Sequence, residues 1–277
     1  MTIWVHGPSA WDTVVEIEDF PKPGEFIRAI KKSERPGGSG LNVAMALATT
    51  DEEIGFITYL GADTYGERIR SLISKSGVSA VHIKESNAPT LHALILKDGS
   101  GERTIIALEP TQMGELGISD IKFKSKDIFL FTIWRDEYKP LLTTLNSLGV
   151  ICIVGAKALE DNDVKAEHVV GSKSDLKIMD LESGKARFDN IVITDGANGA
   201  TLYSKMEEIH QNSLAKTVLD ATGAGDSFLA GYALAVAKKM SDSQRLYLAS
   251  AWSAEALASD SSLPPSWAEI RDRWDFK

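Results

Sequence analysis

The chain has 277 residues, of which 43% are hydrophobic and 25% are charged, a balance that allows a globular protein with a sizeable core. Its net charge of −9 argues against nucleic acid or an anionic membrane as a partner, because both bind through clustered lysines and arginines. The single cysteine, Cys152, excludes an intrachain disulfide and a thiolate zinc cluster. Neither a signal-peptide pattern nor an apolar stretch of membrane-spanning length is present, so we expect a cytoplasmic protein.

The first part of the chain predicts a short strand and then a hairpin that stands apart from the main sheet. Residues 3–6 form an apolar run that ends at a Gly-Pro pair, which is typical of a buried strand. Residues 13–17 and 25–32 alternate between apolar and polar side chains, and a break rich in proline and glycine separates them. We therefore expect residues 12–32 to form a hairpin.

A glycine-rich turn and a second hairpin follow. The turn at residues 35–40 precedes a run of good helix formers at residues 41–48, which predicts a loop that opens a helix, with Asn42 in the first turn. Residues 91–97 and 103–108 flank an Asp-Gly-Ser-Gly sequence, which is typical of a hairpin.

Strands and helices alternate along much of the chain, and this pattern predicts a parallel sheet with helices on both faces. The predicted strands are residues 54–60, 128–132, 150–154, 168–170 and 191–194. The predicted helices lie at residues 69–73, 141–148, 246–258 and 267–274. Because ligands of such sheets bind at the carboxyl ends of the strands, we expect the functional site there.

The stretch at residues 218–232 carries the clearest functional signal. Helical spacing begins at Gly223, Ala224 and Gly225, so a loop of small residues opens a helix. The free N–H groups of a first helical turn bind anions such as phosphate, and small side chains leave these groups accessible. Asp226 lies in the same turn, where it either compensates the helix dipole or accepts a proton from a hydroxyl that attacks a bound phosphate.

Residues 220–226 read Asp-Ala-Thr-Gly-Ala-Gly-Asp, which resembles the C-terminal signature of the PfkB carbohydrate kinases, the ribokinase-like family. One position departs, because Ala221 stands where the family usually has Thr, Ser, Pro or Val. The resemblance implies that Asp226 is the catalytic base and that the loop at residues 223–225 is the anion hole for the transferred phosphate.

The Gly-Gly pair at Gly37 and Gly38, followed by Asn42, resembles the N-terminal signature of the same family. The segment that ends at Asp12 is similar to the family's stretch after the first strand. The resemblance implies that these residues bind substrate hydroxyls, a role that suits Asp and Asn because they pair with adjacent hydroxyls. It also implies that the two predicted hairpins form a β-lid, which in many members pairs with a second subunit to give a dimer.

The resemblance further implies a nucleotide site made from two segments. Thr194, Gly196 and Gly199 match a Thr-x-Gly-x-x-Gly motif that lies against the nucleotide in the family. A helix near the C-terminus is expected to wall the adenine pocket, and its candidate residues are Ala251, Ser253 and Ala254.

Metal binding is the part in which the sequence departs most from the family. Ser172-Lys173-Ser174-Asp175 stands where many members have Asn-x-x-Glu, so Asp175 is the candidate residue for supporting Mg²⁺ and phosphate. The strand that ends at Gly155 also lacks the Asp that often ends it. Asp220 and Thr222 are candidates for binding a monovalent cation such as K⁺, as in some relatives.

The resemblance therefore predicts a three-layer α/β fold of the ribokinase type, with a mainly parallel central sheet, helices on both faces and a small β-lid. We expect a single domain over residues 1–277, with lid segments at about residues 12–34 and 88–110. The expected activity is phosphorylation of a hydroxyl of a small sugar by ATP.

Two alternatives remain open. One is a nucleoside kinase of the same fold, whose base would need an aromatic or apolar wall such as Trp11, Phe26 or Trp134. The other is a nucleotide-binding regulator that has lost catalysis.

Overall fold

The computed structural model of the chain describes residues 1–99, 103–109, 118–176, 181–261 and 263–276. These residues form thirteen β-strands and seven α-helices. The strands are β1 (Thr2–His6), β2 (Ala10–Glu16), β3 (Lys31–Gly37), β4 (Glu53–Gly61), β5 (Ala80–Ser86), β6 (Leu91–Lys97), β7 (Arg103–Ala107), β8 (Ile128–Phe131), β9 (Ile151–Gly155), β10 (Ala166–Ser172), β11 (Phe188–Thr194), β12 (Ala200–Ser204) and β13 (Glu208–Gln211). The helices are α1 (Ser39–Leu47), α2 (Thr64–Ser74), α3 (Lys139–Ser147), α4 (Leu181–Lys185), α5 (Ala224–Ala237), α6 (Asp242–Leu257) and α7 (Trp267–Trp274).

A nine-stranded sheet forms the centre of the molecule, in the order β13-β12-β11-β10-β9-β8-β1-β4-β5. From β11 to β5 all neighbours pair in parallel, whereas β12 and β13 pair antiparallel at one edge. The predicted, mainly parallel sheet is confirmed. The sequence did not predict β5, β12 and β13, because strands near a sheet edge are only partly buried and lack a long apolar run.

Two apolar clusters cover the two faces of this sheet and give the fold its three layers. On one face, α1, α5 and α6 bury Leu41, Tyr232 and Trp252 against the sheet. On the other face, Leu145 of α3 packs with Phe129 and its neighbours. The expected layer of helices on each face is therefore confirmed.

Two findings concern the single cysteine and the helices of the described ranges. Cys152 is fully buried in the second cluster, and burial raises the pKa of its thiol far above the ordinary value. No helix in these ranges is long and apolar enough to cross a bilayer.

A second, four-stranded sheet in the order β3-β2-β6-β7 forms the β-lid. Strand β2 pairs antiparallel with β3, from Ala10 opposite Gly37 to Glu16 opposite Lys31, and parallel with β6. This sheet therefore combines strands from two separate segments of the chain.

One boundary of the first hairpin was wrong. The second strand is Lys31–Gly37 and not residues 25–32, so the predicted turn at residues 35–40 begins inside β3. The apolar residues that suggested the earlier strand remain exposed, with Phe26 at 84% and Ile30 at 68%. The alternation of apolar and polar side chains predicted a strand at residues 25–32. Strand β2 instead pairs with Lys31–Gly37, a later register that ends at the Gly-Gly pair.

Candidate active site

Helix α5 begins at the glycine-rich loop, as the sequence predicts. Gly223 precedes the helix with a φ of 78°, a left-handed conformation that favours glycine. A Cβ atom at Gly225 would meet no other atom within 4 Å, so the space beside this first turn is open. Gly223, Ala224 and Gly225 thus leave the free N–H groups of the first turn accessible to an anion.

Asp226 lies in this first turn and carries a strongly perturbed carboxyl group. Asn42 donates a hydrogen bond of 2.7 Å from Nδ2 to Oδ2 of Asp226. Enclosure by the protein raises the pKa of the Asp226 carboxyl to about 6, although the hydrogen bond from Asn42 lowers it. A carboxyl group with this pKa is mainly ionised at neutral pH and still basic enough to accept a proton.

The N-terminus of α1 lies beside that of α5, and two glycines let it pack closely on the segment that contains Pro8 and Asp12. Gly38 precedes α1 with a φ of 90°, and a Cβ there would lie 2.6 Å from the carbonyl oxygen of Pro8. A Cβ at Gly37 would collide with the carboxyl group of Asp12. The Gly-Gly pair therefore fixes a close packing that places Asn42 and Asp12 on the same site.

Asp12 is almost fully enclosed at the base of the lid, with 7% of its surface exposed. Burial raises the pKa of its carboxyl group to about 6, while Arg35 and His92 oppose this shift. A cavity of about 340 Å³ brings together Asp12, Gly37, Gly38, Asn42, Thr222, Gly223 and Asp226, with the lid residues Arg35 and Arg103 on its wall. The predicted substrate-binding residues and the predicted base thus line one space.

A second cavity of about 310 Å³ lies at the carboxyl ends of the central strands, on the other side of Asp226. It is lined by Gly225 and Asp226 together with Asp175, Thr194 and Lys157. Gly196 and Gly199, with φ values of 54° and 91°, form the turn after β11, but neither of them lines this cavity. Asp226 therefore borders two separate cavities.

The residues that were predicted to wall the adenine pocket differ in how deeply they are buried. Ala251 is fully buried, whereas Ser253 is half-buried. Ala254 lines a third cavity of about 330 Å³, next to Glu255. The carboxylate of Glu255 is held by Arg273 at 2.7 Å and by the indole nitrogen of Trp274 at 3.0 Å.

The metal candidates are single carboxylates, since the described residues contain no group of three or more His, Cys, Asp or Glu placed to hold a metal ion. Asp175 accepts a hydrogen bond from the backbone N–H of Ser172 at 3.2 Å and lines the second cavity. Such a carboxylate fits Mg²⁺, which keeps most of its waters and takes one or two carboxylates plus substrate phosphates.

Two polar groups of the site were missed in the sequence. Arg35 faces Asp12 across the β2–β3 pair, and the correct register of β3 would have revealed this pairing. Ser227 has a buried hydroxyl with no hydrogen-bond partner among the described residues, and it lines the first cavity. The sequence signal that could have identified Ser227 was its position in the first turn of α5, next to Asp226.

Comparisons with known proteins identify relatives of the chain and of its fold. The ribokinase of Arabidopsis thaliana is 24% identical over 279 residues, which cover 89% of this chain and 73% of that protein. The crystal structure of ribokinase from Thermotoga maritima is 22% identical, with a TM-score of 0.82 and coverage of 99% of each chain. The nucleoside kinase of Methanocaldococcus jannaschii has the same fold, with 18% identity, a TM-score of 0.75 and coverage of 99% of this chain and 98% of its own.

A family model, the pfkB family carbohydrate kinase, matches residues 9–124 and 154–268, which is most of the chain. The chain belongs to the PfkB family of carbohydrate kinases.

Proposed function

We propose that this protein transfers the γ-phosphoryl group of ATP to a hydroxyl of a small sugar, with Asp226 as the general base. The observation that carries this proposal is the position of Asp226 between two cavities. One cavity has the polar groups that an alcohol acceptor needs, and the other lies where open α/β sheets bind phosphates. A base at the junction is placed to take the hydroxyl proton during transfer.

Each group on the acceptor side has a role that its chemistry supports. Asp12 and Asn42 orient the sugar hydroxyls, because a carboxylate accepts hydrogen bonds and an amide both donates and accepts them. Gly37 and Gly38 allow the backbone to approach closely. Asp226 accepts the proton of the attacking hydroxyl, and the N–H groups at residues 223–225 stabilise charge on the transferring phosphoryl group.

On the nucleotide side, Thr194 and the turn with Gly196 and Gly199 would lie against ATP, and Ala254 would contact the adenine. Asp175 would hold Mg²⁺. When bound, this ion neutralises charge on the ATP phosphates. Lys157 lines the same cavity, where its positive charge would add to this neutralisation.

The wall of the first cavity offers a nucleobase apolar side chains, among them Ile95, Ile105 and Leu263, but none of its described lining residues has an aromatic ring. Trp11 instead stacks on Tyr65, with ring centroids 6.5 Å apart, and Trp134 lines the second cavity. A base would therefore find no stacking partner among these side chains.

We also propose that the lid pairs with a second subunit. Strand β7 lies at the edge of the lid sheet and exposes Ile105 at 55% and Ile106 at 42%. An exposed apolar edge strand favours pairing with another chain. Light scattering of the wild type and of Ile106→Lys tests this, and a wild type that is monomeric at micromolar concentration contradicts it.

The test of the proposed reaction is a coupled assay over ribose, fructose and adenosine with the wild type and Asp226→Asn. We expect a sugar to be the best acceptor and the variant to lose at least about a thousandfold in kcat, with ATP affinity changed less than about threefold. The matched control is Glu67→Gln, because Glu67 is an exposed acid in the first turn of α2. If dipole compensation were the only role of Asp226, the two variants would lose turnover equally.

Each remaining result also decides between the alternatives. Adenosine as the best acceptor supports the nucleoside kinase. Absence of turnover with every acceptor, together with tight ATP binding, supports the regulator. Near-normal turnover of Asp226→Asn overturns the assignment of the base.

A further inference from the structure

Asp220 lies in the loop that leads to the glycines of α5, and both of its carboxylate oxygens already have partners. Oδ1 accepts a hydrogen bond of 2.8 Å from the backbone N–H of Thr222. Oδ2 faces two cations, Nη1 of Arg35 at 3.3 Å and Nζ of Lys97 at 3.8 Å. The carboxylate therefore holds the loop on one side and two positive side chains on the other.

Both cations come from the β-lid. Arg35 is in β3 and Lys97 is the last residue of β6. The side chains of Arg35 and Asp220 are only 14% and 15% exposed, and that of Lys97 is 27% exposed. Because water and salt screen enclosed pairs weakly, these contacts are stronger than those of an ordinary surface ion pair.

The ammonium group of Lys97 lies next to oxygen atoms of the kind that coordinate a monovalent cation. In addition to Asp220, it donates to the backbone carbonyl oxygen of Leu219 at 3.3 Å. A carboxylate and a carbonyl oxygen are hard oxygen ligands of the kind that bind alkali and ammonium ions alike.

The donor set at Asp220 does not fit an additional, exchangeable cation. Both carboxylate oxygens of Asp220 already have partners in the chain. The positive charges of Arg35 and Lys97 would also repel a third cation. The positive charges that compensate the carboxylate are therefore already supplied by Arg35 and Lys97.

We propose that Arg35 and Lys97 are tethered cations that take the place of an exchangeable monovalent cation at Asp220, so that phosphoryl transfer by this protein does not depend on K⁺. The inference rests on the proposed kinase reaction, in which the loop after Asp220 stabilises the transferring phosphoryl group. Since both cations belong to the lid, the loop receives its positive charge only when the lid lies against it. Arg35 and Lys97 are thus positioning residues for the anion-binding loop.

The first test uses the wild-type protein in KCl, NaCl and tetramethylammonium chloride at equal ionic strength. We expect turnover to agree within about twofold among the three salts, and the unfolding temperature to show no rise specific to K⁺. Activation by K⁺ of about tenfold or more, or a K⁺-specific rise of the unfolding temperature, overturns the proposal. Thermal unfolding needs no acceptor sugar, so this result is independent of whether the proposed reaction is correct.

The second test removes the tethered charges in the double variant Arg35→Met/Lys97→Met. We expect kcat/KM to fall by at least about tenfold, with partial recovery in KCl but not in tetramethylammonium chloride. The matched control is Lys31→Met, since Lys31 is a 65% exposed lid residue that pairs with Glu16 at 3.6 Å. This control should keep wild-type turnover, and unfolding temperatures confirm that each variant is folded. A double variant with wild-type turnover in every salt overturns the proposal.

Discussion

Asn42 in the first turn of α1 and Asp226 in the first turn of α5 are 184 positions apart, yet a hydrogen bond of 2.7 Å joins their side chains. The amide of Asn42 occupies one oxygen of the Asp226 carboxylate and leaves the other to accept a proton. Because α1 packs against α5, the substrate-binding signature and the catalytic signature become one rigid unit.

The pH dependence of kcat/KM should report two carboxyl groups. Asp12 and Asp226 line the same cavity, and burial raises the pKa of each to about 6. Both are needed in the ionised form, so log kcat/KM should be level above about pH 7 and fall below pH 6 with a limiting slope of about two. In Asp12→Asn the slope should be about one. A profile that stays flat down to pH 5 would contradict the role of Asp226.

Asn42→Ala should shift the same profile toward higher pH. The hydrogen bond from Asn42 lowers the pKa of Asp226, so its loss leaves burial unopposed and raises that pKa. We expect the midpoint to move upward and kcat/KM at pH 7 to fall by roughly tenfold or more. Asn146→Ala is the control, because it removes an amide that donates 2.9 Å to the carbonyl oxygen of Lys165 in an exposed region. An unshifted midpoint in Asn42→Ala would show that the hydrogen bond does not tune the base.

Asp226→Asn should be more stable than the wild type at alkaline pH. The folded-state pKa of Asp226 is about 6, against an ordinary value of 3.8, so the folded protein binds this proton more tightly than the unfolded chain does. Stability from this group is complete below about pH 4 and is lost as the pH rises through 6, to a cost of about 3 kcal/mol at pH 8. Asn does not titrate and avoids that cost.

Urea unfolding at pH 4.5, 6 and 8 measures this difference. The free energy of unfolding of Asp226→Asn should exceed that of the wild type by about 2–3 kcal/mol at pH 8, and the gap should close toward pH 4.5. A variant that is less stable at pH 8 would indicate a structural role for the carboxylate. The same variant should have lost turnover, which separates inactivity from misfolding.

Gly38→Ala tests the close packing of α1 on the loop after β1. Gly24 and Gly38 have nearly equal φ values of 89° and 90°, but a Cβ at Gly24 would meet nothing within 4 Å. Gly24→Ala should therefore lose only the conformational cost of about 1 kcal/mol. Gly38→Ala adds a collision with backbone atoms and should lose at least about 2 kcal/mol more. If urea unfolding gave equal losses of stability for the two variants, the loop after β1 would accommodate the added methyl group without loss of stability.

The sequence was most informative where local chemistry and tertiary structure agree. The small residues at Gly223 to Gly225 need no distant partner to open a helix, and the buried strands of the sheet centre carry long apolar runs. The register of β3 was less accessible, because Phe26 and Ile30 alternate like strand residues and remain exposed. The contacts of Arg35 depend on that register, so the sequence alone did not connect it with Asp12 or Asp220.

Helices α1 and α5 both direct their N-termini, and hence partial positive charge, at the first cavity, although the protein as a whole has a net charge of −9. At low ionic strength, where screening is weak, the net negative charge therefore slows the approach of a polyphosphate, whereas at contact the exposed amide groups attract it. Added salt should speed nucleotide association even though it weakens the contacts made after arrival. The net charge thus slows the association of phosphates, and the N-termini of the two helices stabilise the bound state.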